Sequence, residues 1–125
     1  MKKILIAKIG LDGHDVGAQV ITKYLKDNGF DVRYTGIRKD INDILKITKE
    51  FKPDAIGVSI MTGGHLHFLP LLRKALNKEG IDKIKLICGG LIPKKDKKEL
   101  LKYVDAVFNN NSNLDDILKY FKKCL

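Results

Sequence analysis

The chain reads as an α/β domain, a doubly wound parallel sheet with helices on both faces, and three observations carry that reading. Short β-branched runs alternate with longer amphipathic segments along the whole length, the signature of repeated strand–helix units. Five of each are predicted: strands at 3–8, 31–34, 55–59, 85–88 and 106–108, and helices at 17–28, 41–51, 66–78, 94–102 and 114–122. The chemically unusual residues gather in the segments after the first, third and fourth strands, which a 2-1-3-4-5 strand order brings to one crevice.

Each element has its own signal. The apolar run Ile4-Leu5-Ile6-Ala7 is the first strand, and a loop over 9–16 leads from it into the first helix. Asn28-Gly29 ends that helix through a left-handed cap, Asp40 begins the second, and Pro53 separates the second helix from strand three. Strand three runs into a loop over 60–64, and strand four ends at Cys88 with Gly89-Gly90-Leu91-Ile92-Pro93 beyond it. The cluster Lys94-Lys95-Asp96-Lys97-Lys98 reads as a solvated helix start, and the closing lysines as the basic last turn of a terminal helix. Units of this size fit the flavodoxin-like (Rossmann-like) order 2-1-3-4-5, with its crevice between strands one and three.

Composition bounds the function. A length of 125 residues with 44% hydrophobic residues supplies one core, so residues 1–125 are expected to form a single domain. There is neither a long apolar run nor a signal peptide's apolar stretch, which predicts a soluble, unprocessed, cytoplasmic protein that does not engage a membrane. Cys88 and Cys124 form no CxxC pair; Cys88 is expected to be buried packing and Cys124 to be exposed. The net charge of +9 comes from 24 lysines and arginines spread over nearly every helical segment without interleaved aromatics, a pattern that argues against nucleic-acid binding.

The strongest functional signal is Asp12-Gly13-His14-Asp15-Val16-Gly17, which places an imidazole at a strand-to-helix turn. Beside Asp12, with Lys8 upstream, His14 is suited to ligate a metal or carry a proton. Gly57, Gly63, Gly64, Gly89 and Gly90 lie at or near strand ends on the same edge, where absent Cβ atoms let a large ligand approach the backbone, and Ser59 adds a hydroxyl. Neither G-x-x-x-x-G-K-[ST] nor G-x-G-x-x-G occurs, which removes the P-loop and the standard dinucleotide site. A phosphoacceptor receiver would need an acidic residue where Ser59 stands and a lysine near Asn109. His65-x-His67 with His14 makes a poor three-histidine metal site, because a spacing of two points side chains to different sides of a helix.

Taken together, Asp12-x-His14-x-x-Gly17, then 41 residues, Ser59-x-Met61, then 27 residues, and Gly89-Gly90 resemble the cobalamin-binding domain of B12-dependent mutases and methyltransferases. That family's pattern is D-x-H-x-x-G, S-x-L and G-G at these intervals, and the match spans nearly the whole chain. The flanking residues Lys8 to Asp15, Tyr34-Thr35-Gly36 and Ser59 to His65 are similar to the methylmalonyl-CoA mutase group.

The resemblance implies a corrinoid held without its own dimethylbenzimidazole on cobalt, His14 taking that place as lower ligand with Asp12 and Lys8 hydrogen-bonded behind it. It implies that Ser59 bonds the displaced base in the crevice, that Gly63, Gly64, Gly89 and Gly90 make room for the tail, and that Gly17 lets the following segment pass beside it. Gly13, Asp15, Met61 and Ser112 complete the implied cofactor set; Met61 replaces the pattern's leucine and Ser112 stands where the family has threonine. Val16 stands where mutases often have arginine, and the segment from Phe108 to Ser112 lacks the family's Pro-Gly. The function implied is the small, adenosylcobalamin-binding subunit of an acyl-CoA mutase of the methylmalonyl-CoA type. It would act as a heteromer with a large TIM-barrel acyl-CoA mutase subunit, and no catalytic residue of its own is assigned. The alternatives are a corrinoid carrier or sensor, or the small subunit of 2-hydroxyisobutyryl-CoA mutase or glutamate mutase.

Overall fold

The apolar run Ile4–Ala7 occupies an inner position of a five-stranded parallel sheet of order β2-β1-β3-β4-β5. The computed structural model describes residues 1–10, 13–109 and 112–125. Its elements in chain order are β1 (Lys3–Lys8), α1 (Val16–Asp27), β2 (Asp31–Tyr34), α2 (Ile41–Phe51), β3 (Ala55–Ile60) and α3 (His65–Lys78). There follow β4 (Lys85–Gly90), a 3-10 turn (Lys94–Asp96), α4 (Lys97–Leu100), β5 (Ala106–Val107) and α5 (Leu114–Cys124). The predicted fold class and strand order are the observed ones.

Alternation along each strand divides the core between the two faces. Leu5, Ala7, Ile56, Val58, Ile60, Leu86 and Cys88 point to the side covered by α2, α3 and α4, with Ile44, Leu69, Leu72, Leu76 and Leu100 against them. Ile4, Ile6, Ala55 and Ile87 point to the other side, where Ala18 and Leu25 of α1 and Leu118 and Phe121 of α5 close over them. All of these are buried. The site is thereby left between α1 and α5, beyond the last apolar row.

The turns follow the chemistry of their residues. Asp40 accepts from the Asp43 amide at 2.8 Å while Asp43 accepts from the Asp40 amide at 3.1 Å, a reciprocal cap that starts α2. Lys52 adopts the left-handed conformation and ends α2 directly before Pro53. Gly29, with φ of +97°, makes the turn after α1. Asn113 caps α5 by accepting from the Asp116 amide at 2.8 Å.

Three expectations change in detail. The helix predicted over 94–102 is a 3-10 turn followed by one α-helical turn, because within this lysine-dense stretch Leu100 is the side chain that enters the core. β5 keeps only two residues, paired with Ile87 and Cys88, while β3 and β4 run on to Ile60 and Gly90. Cys124 is half-buried against the α1/α5 layer rather than exposed, with its Sγ 3.9 Å from the Phe121 carbonyl. Cys88 is fully buried, as expected of a packing residue. Among the described residues no helix is long and apolar enough to cross a membrane.

Candidate cofactor site

Parallel register brings three residues far apart in sequence into one row at the carboxyl end of the sheet. Lys8 pairs with Ser59 across β1 and β3, and Ser59 pairs with Gly89 across β3 and β4. One step inward lies the row Ile6, Gly57, Ile87 and Ala106. The α1/α5 face of the sheet is thus apolar at its base and stripped of side-chain bulk at Gly57, Ser59 and Gly89. Two of the three predicted motif segments, Ser59-x-Met61 and Gly89-Gly90, are neighbours because their strands are.

Lys8 has none of its surface exposed, so its ammonium must find its partners inside the protein. The Nζ donates to the Ser59 carbonyl at 3.1 Å and approaches the Ser59 hydroxyl at 3.5 Å, while the Lys8 amide donates to Thr35 Oγ1 at 3.2 Å. The end of β1 is therefore fixed to both neighbouring strands.

Beneath this row lies a cavity of about 40 Å³ lined by Ile6, Ile21, Gly57, Ser59, Gly89 and Phe108, with Ile117 and Phe121 of α5 closing it. Its walls are almost wholly apolar, and Ser59 is its side-chain hydrogen-bonding group. This is a slot for a flat apolar group with one polar handle.

The β1–α1 loop leaves the same carboxyl edge of the sheet. Gly13 and His14 are exposed, and Asp15 is the residue before α1, its carboxylate accepting from Gln19 Nε2 at 2.7 Å and from the Tyr34 hydroxyl at 3.3 Å. Asp12, the expected companion of His14, lies outside the described residues. Gly17, in the first turn of α1, is exposed and has open space where a Cβ would project. Met61, Gly63 and Gly64 lie in the β3–α3 loop, and Ser112 follows β5, its hydroxyl accepting from the Asn109 amide at 3.3 Å. The predicted residues that are described thus share one edge of the sheet.

The glycines do not all serve one purpose. Gly89 lines the slot, and a Cβ there would sit 3.5 Å from the Phe108 carbonyl. Gly90 has a reason of its own: with φ of +121°, a Cβ would stand 2.2 Å from the Ile60 carbonyl oxygen. Gly63 has φ of +83° in its turn, and a Cβ on Gly64 would meet the Phe68 ring at 2.9 Å.

Several contributors had no motif to announce them. Ile21, Phe108, Ile117 and Phe121 form the slot walls, and the amphipathic periodicity of the two helices was the available signal for three of them. His65 is 4% exposed and its Nε2 donates to the Asp96 carboxylate at 2.7 Å, joining the start of α3 to the turn after β4. His67 instead is exposed, with its ring against Phe68. Among the described residues no three metal-ligating side chains converge.

A 2-1-3-4-5 parallel sheet with helices on both faces and an apolar slot at the carboxyl ends of its strands defines an α/β domain of the flavodoxin-like class. The chain belongs to the B12-binding domain family, whose model matches residues 2–116. It is 34% identical over 100 residues to the 2-hydroxyisobutanoyl-CoA mutase small subunit of Aquincola tertiaricarbonis, covering 80% of this chain and 74% of that one. It is 37% identical over 115 residues to methylmalonyl-CoA mutase of Rhizobium meliloti, covering 91% of this chain but 16% of that protein. Among solved structures, a novel cobalamin-binding protein from Desulfitobacterium hafniense superposes with a TM-score of 0.86 at 25% identity, over 99% of this chain and 59% of that one.

Proposed function

We propose that residues 1–125 form one cobalamin-binding domain that serves as the small subunit of a coenzyme-B12-dependent acyl-CoA mutase, working in the cytoplasm with a separate large TIM-barrel subunit. The observation that carries this reading is the row Lys8, Ser59 and Gly89 above an apolar slot, at the sheet edge from which the His14 loop leaves. The residues fit the group: Gly57 and Gly89 leave a trough that side chains would fill, and Ser59 offers the hydroxyl a heteroaromatic base needs. A single exposed imidazole suits a metal whose other ligands arrive with it, as a corrin's do.

In this reading His14 would ligate the cobalt, and Asp12 and Lys8 would fix the chemistry behind it, since the partner on the second ring nitrogen sets a ligating histidine's tautomer and basicity. Ser59 bonds the displaced base, Gly89 and Gly57 admit it, and Gly13, Asp15, Gly17, Met61, Gly63, Gly64 and Ser112 border the cofactor. The radical chemistry of carbon-skeleton rearrangement comes from adenosylcobalamin when it is bound. This chain's own part would be to hold the cofactor, and the large subunit's to bind acyl-CoA. The substrate, methylmalonyl-CoA or another branched acyl-CoA, is chosen there.

Mixing the purified chain with adenosylcobalamin should give the absorbance spectrum of a histidine-ligated corrinoid, and His14→Ala should lose it. Reconstitution with an acyl-CoA mutase large subunit should then give turnover, and a panel of acyl-CoA substrates identifies the reaction. Absence of cobalamin binding, or a bound spectrum that keeps dimethylbenzimidazole ligation, overturns the reading.

A further inference from the structure

The slot is present but too small for a two-ring base. Its volume of about 40 Å³ is room for a few waters at roughly 10–15 Å³ each, less than a two-ring base needs. Four residues beyond the sheet limit it: Ile21 from α1, Ile117 and Phe121 from α5, and Phe108 from the segment between β5 and α5. The sheet strands are paired throughout this region, so the slot widens on its other side, where α1, α5 and the Phe108 segment cover it.

A hydrogen bond ties those two helices together. Tyr24, one turn beyond Ile21 on α1, donates its hydroxyl to the carboxylate of Asp115, the second residue of α5. The two residues are 91 apart in sequence, and the bond joins the two helices that carry the slot residues Ile21, Ile117 and Phe121. Asp115 is exposed and Tyr24 half-buried, so the pair lies at the protein surface, where it can break without stranding a buried group. The other side of α1 is held independently, through Asp15 to Tyr34 on β2.

We propose that Tyr24 and Asp115 are a clasp that holds α1 against α5 and must open before the cofactor's tail can enter. The proposal rests on the cobalamin reading above. It makes both residues positioning residues that control entry and leave the bound state untouched, because the widened slot has already separated them. Removing the clasp therefore raises the population of the open form, speeds entry and tightens binding.

Rapid mixing of the full chain with increasing hydroxocobalamin, followed by absorbance, tests this. The wild-type rate should saturate at the opening rate. Tyr24→Phe, which keeps the packed ring, should raise the plateau about two- to tenfold, the range expected for one exposed hydrogen bond. Affinity should tighten by the same factor and the dissociation rate should stay unchanged. Asp115→Ala should do the same, and the double variant should add nothing beyond either single change. A residue that merely stabilised the fold would weaken binding when altered. An unsaturating wild-type rate, an unchanged plateau or weakened affinity in the variants overturns the clasp while leaving the cobalamin site standing. A wild-type chain with no spectral change overturns both.

Discussion

The ammonium of Lys8 donates to the carbonyl of Ser59 at 3.1 Å across two paired strands, joining the end of the His14 strand to the residue that carries the slot's hydroxyl. Lys8 is fully buried, so this contact is made without competition from water. It makes the orientation of Ser59 depend on a residue 51 positions away. Lys8→Met keeps the length of the side chain and removes the charge. The expected outcome is a stability loss of about 2 kcal/mol in urea unfolding, from hydrogen bonds to a charged donor. Cobalamin affinity should fall about 10- to 100-fold, the usual effect of deleting a group behind a metal ligand. Lys8→Arg should not restore it, since a planar fork does not occupy the place of a point donor.

The adjacent glycines at the end of β4 separate by experiment. A Cβ on Gly90 would overlap the Ile60 carbonyl at 2.2 Å and sit on a backbone with φ of +121°, so Gly90→Ala should destabilise the fold by about 3 kcal/mol or more. At Gly89 the same Cβ would be in ordinary contact, 3.5 Å from the Phe108 carbonyl, and stability should change by less than about 1 kcal/mol. Because Gly89 lines the slot, Gly89→Ala should nevertheless lower cobalamin affinity at least about tenfold. Thermal melts of the apo proteins paired with cofactor titrations distinguish the two roles.

The difference between these glycines shows where sequence was informative. Alternating strand and helix patterns, with Asp40 and Pro53 as punctuation, were enough for the sheet and its order, because in parallel βα units the chain's local periodicity and its global path agree. The spacing of Ser59 and Gly89 was legible for the same reason: equivalent positions at strand ends become register partners. What could not be read was anything decided by side chains meeting across elements. Tyr24 reaches Asp115 and His65 reaches Asp96 over separations of 91 and 31 residues, with no local signal that either has a partner. Nor did the sequence distinguish Gly89, which borders a space, from Gly90, which avoids a clash.

Cys88 gives the fold a pH dependence of known sign. Burial pushes its thiol from an ordinary value of 9.0 up to about 12. The unfolded chain ionises this thiol first, so its contribution to stability is complete below about pH 9 and is lost as pH rises towards 12. Tyr120, pushed up to about 12 by burial, adds a slope of the same sign, so the comparison must isolate the cysteine. Unfolding free energies of the wild type and Cys88→Ala should converge as pH is raised above 9 and run parallel below it. Curves that stay parallel throughout would show that the thiol is not held protonated.

Gly17 offers the sharpest separation of folding from function. It lies in the first turn of α1, where glycine costs a helix about 0.5–1 kcal/mol relative to alanine. Its φ is not in the left-handed region, and no atom of the described residues lies within 4 Å of where a Cβ would project. Nothing among the described residues therefore requires glycine here. Gly17→Ala should stabilise the apo domain by about 0.5–1 kcal/mol, seen as a higher melting temperature. If the open space beside the His14 loop belongs to the cofactor, the same methyl group will weaken cobalamin binding, and the gain in melting temperature seen without cobalamin will shrink or reverse in its presence. An alanine variant that is more stable and binds cobalamin as tightly as the wild type would remove Gly17 from the site.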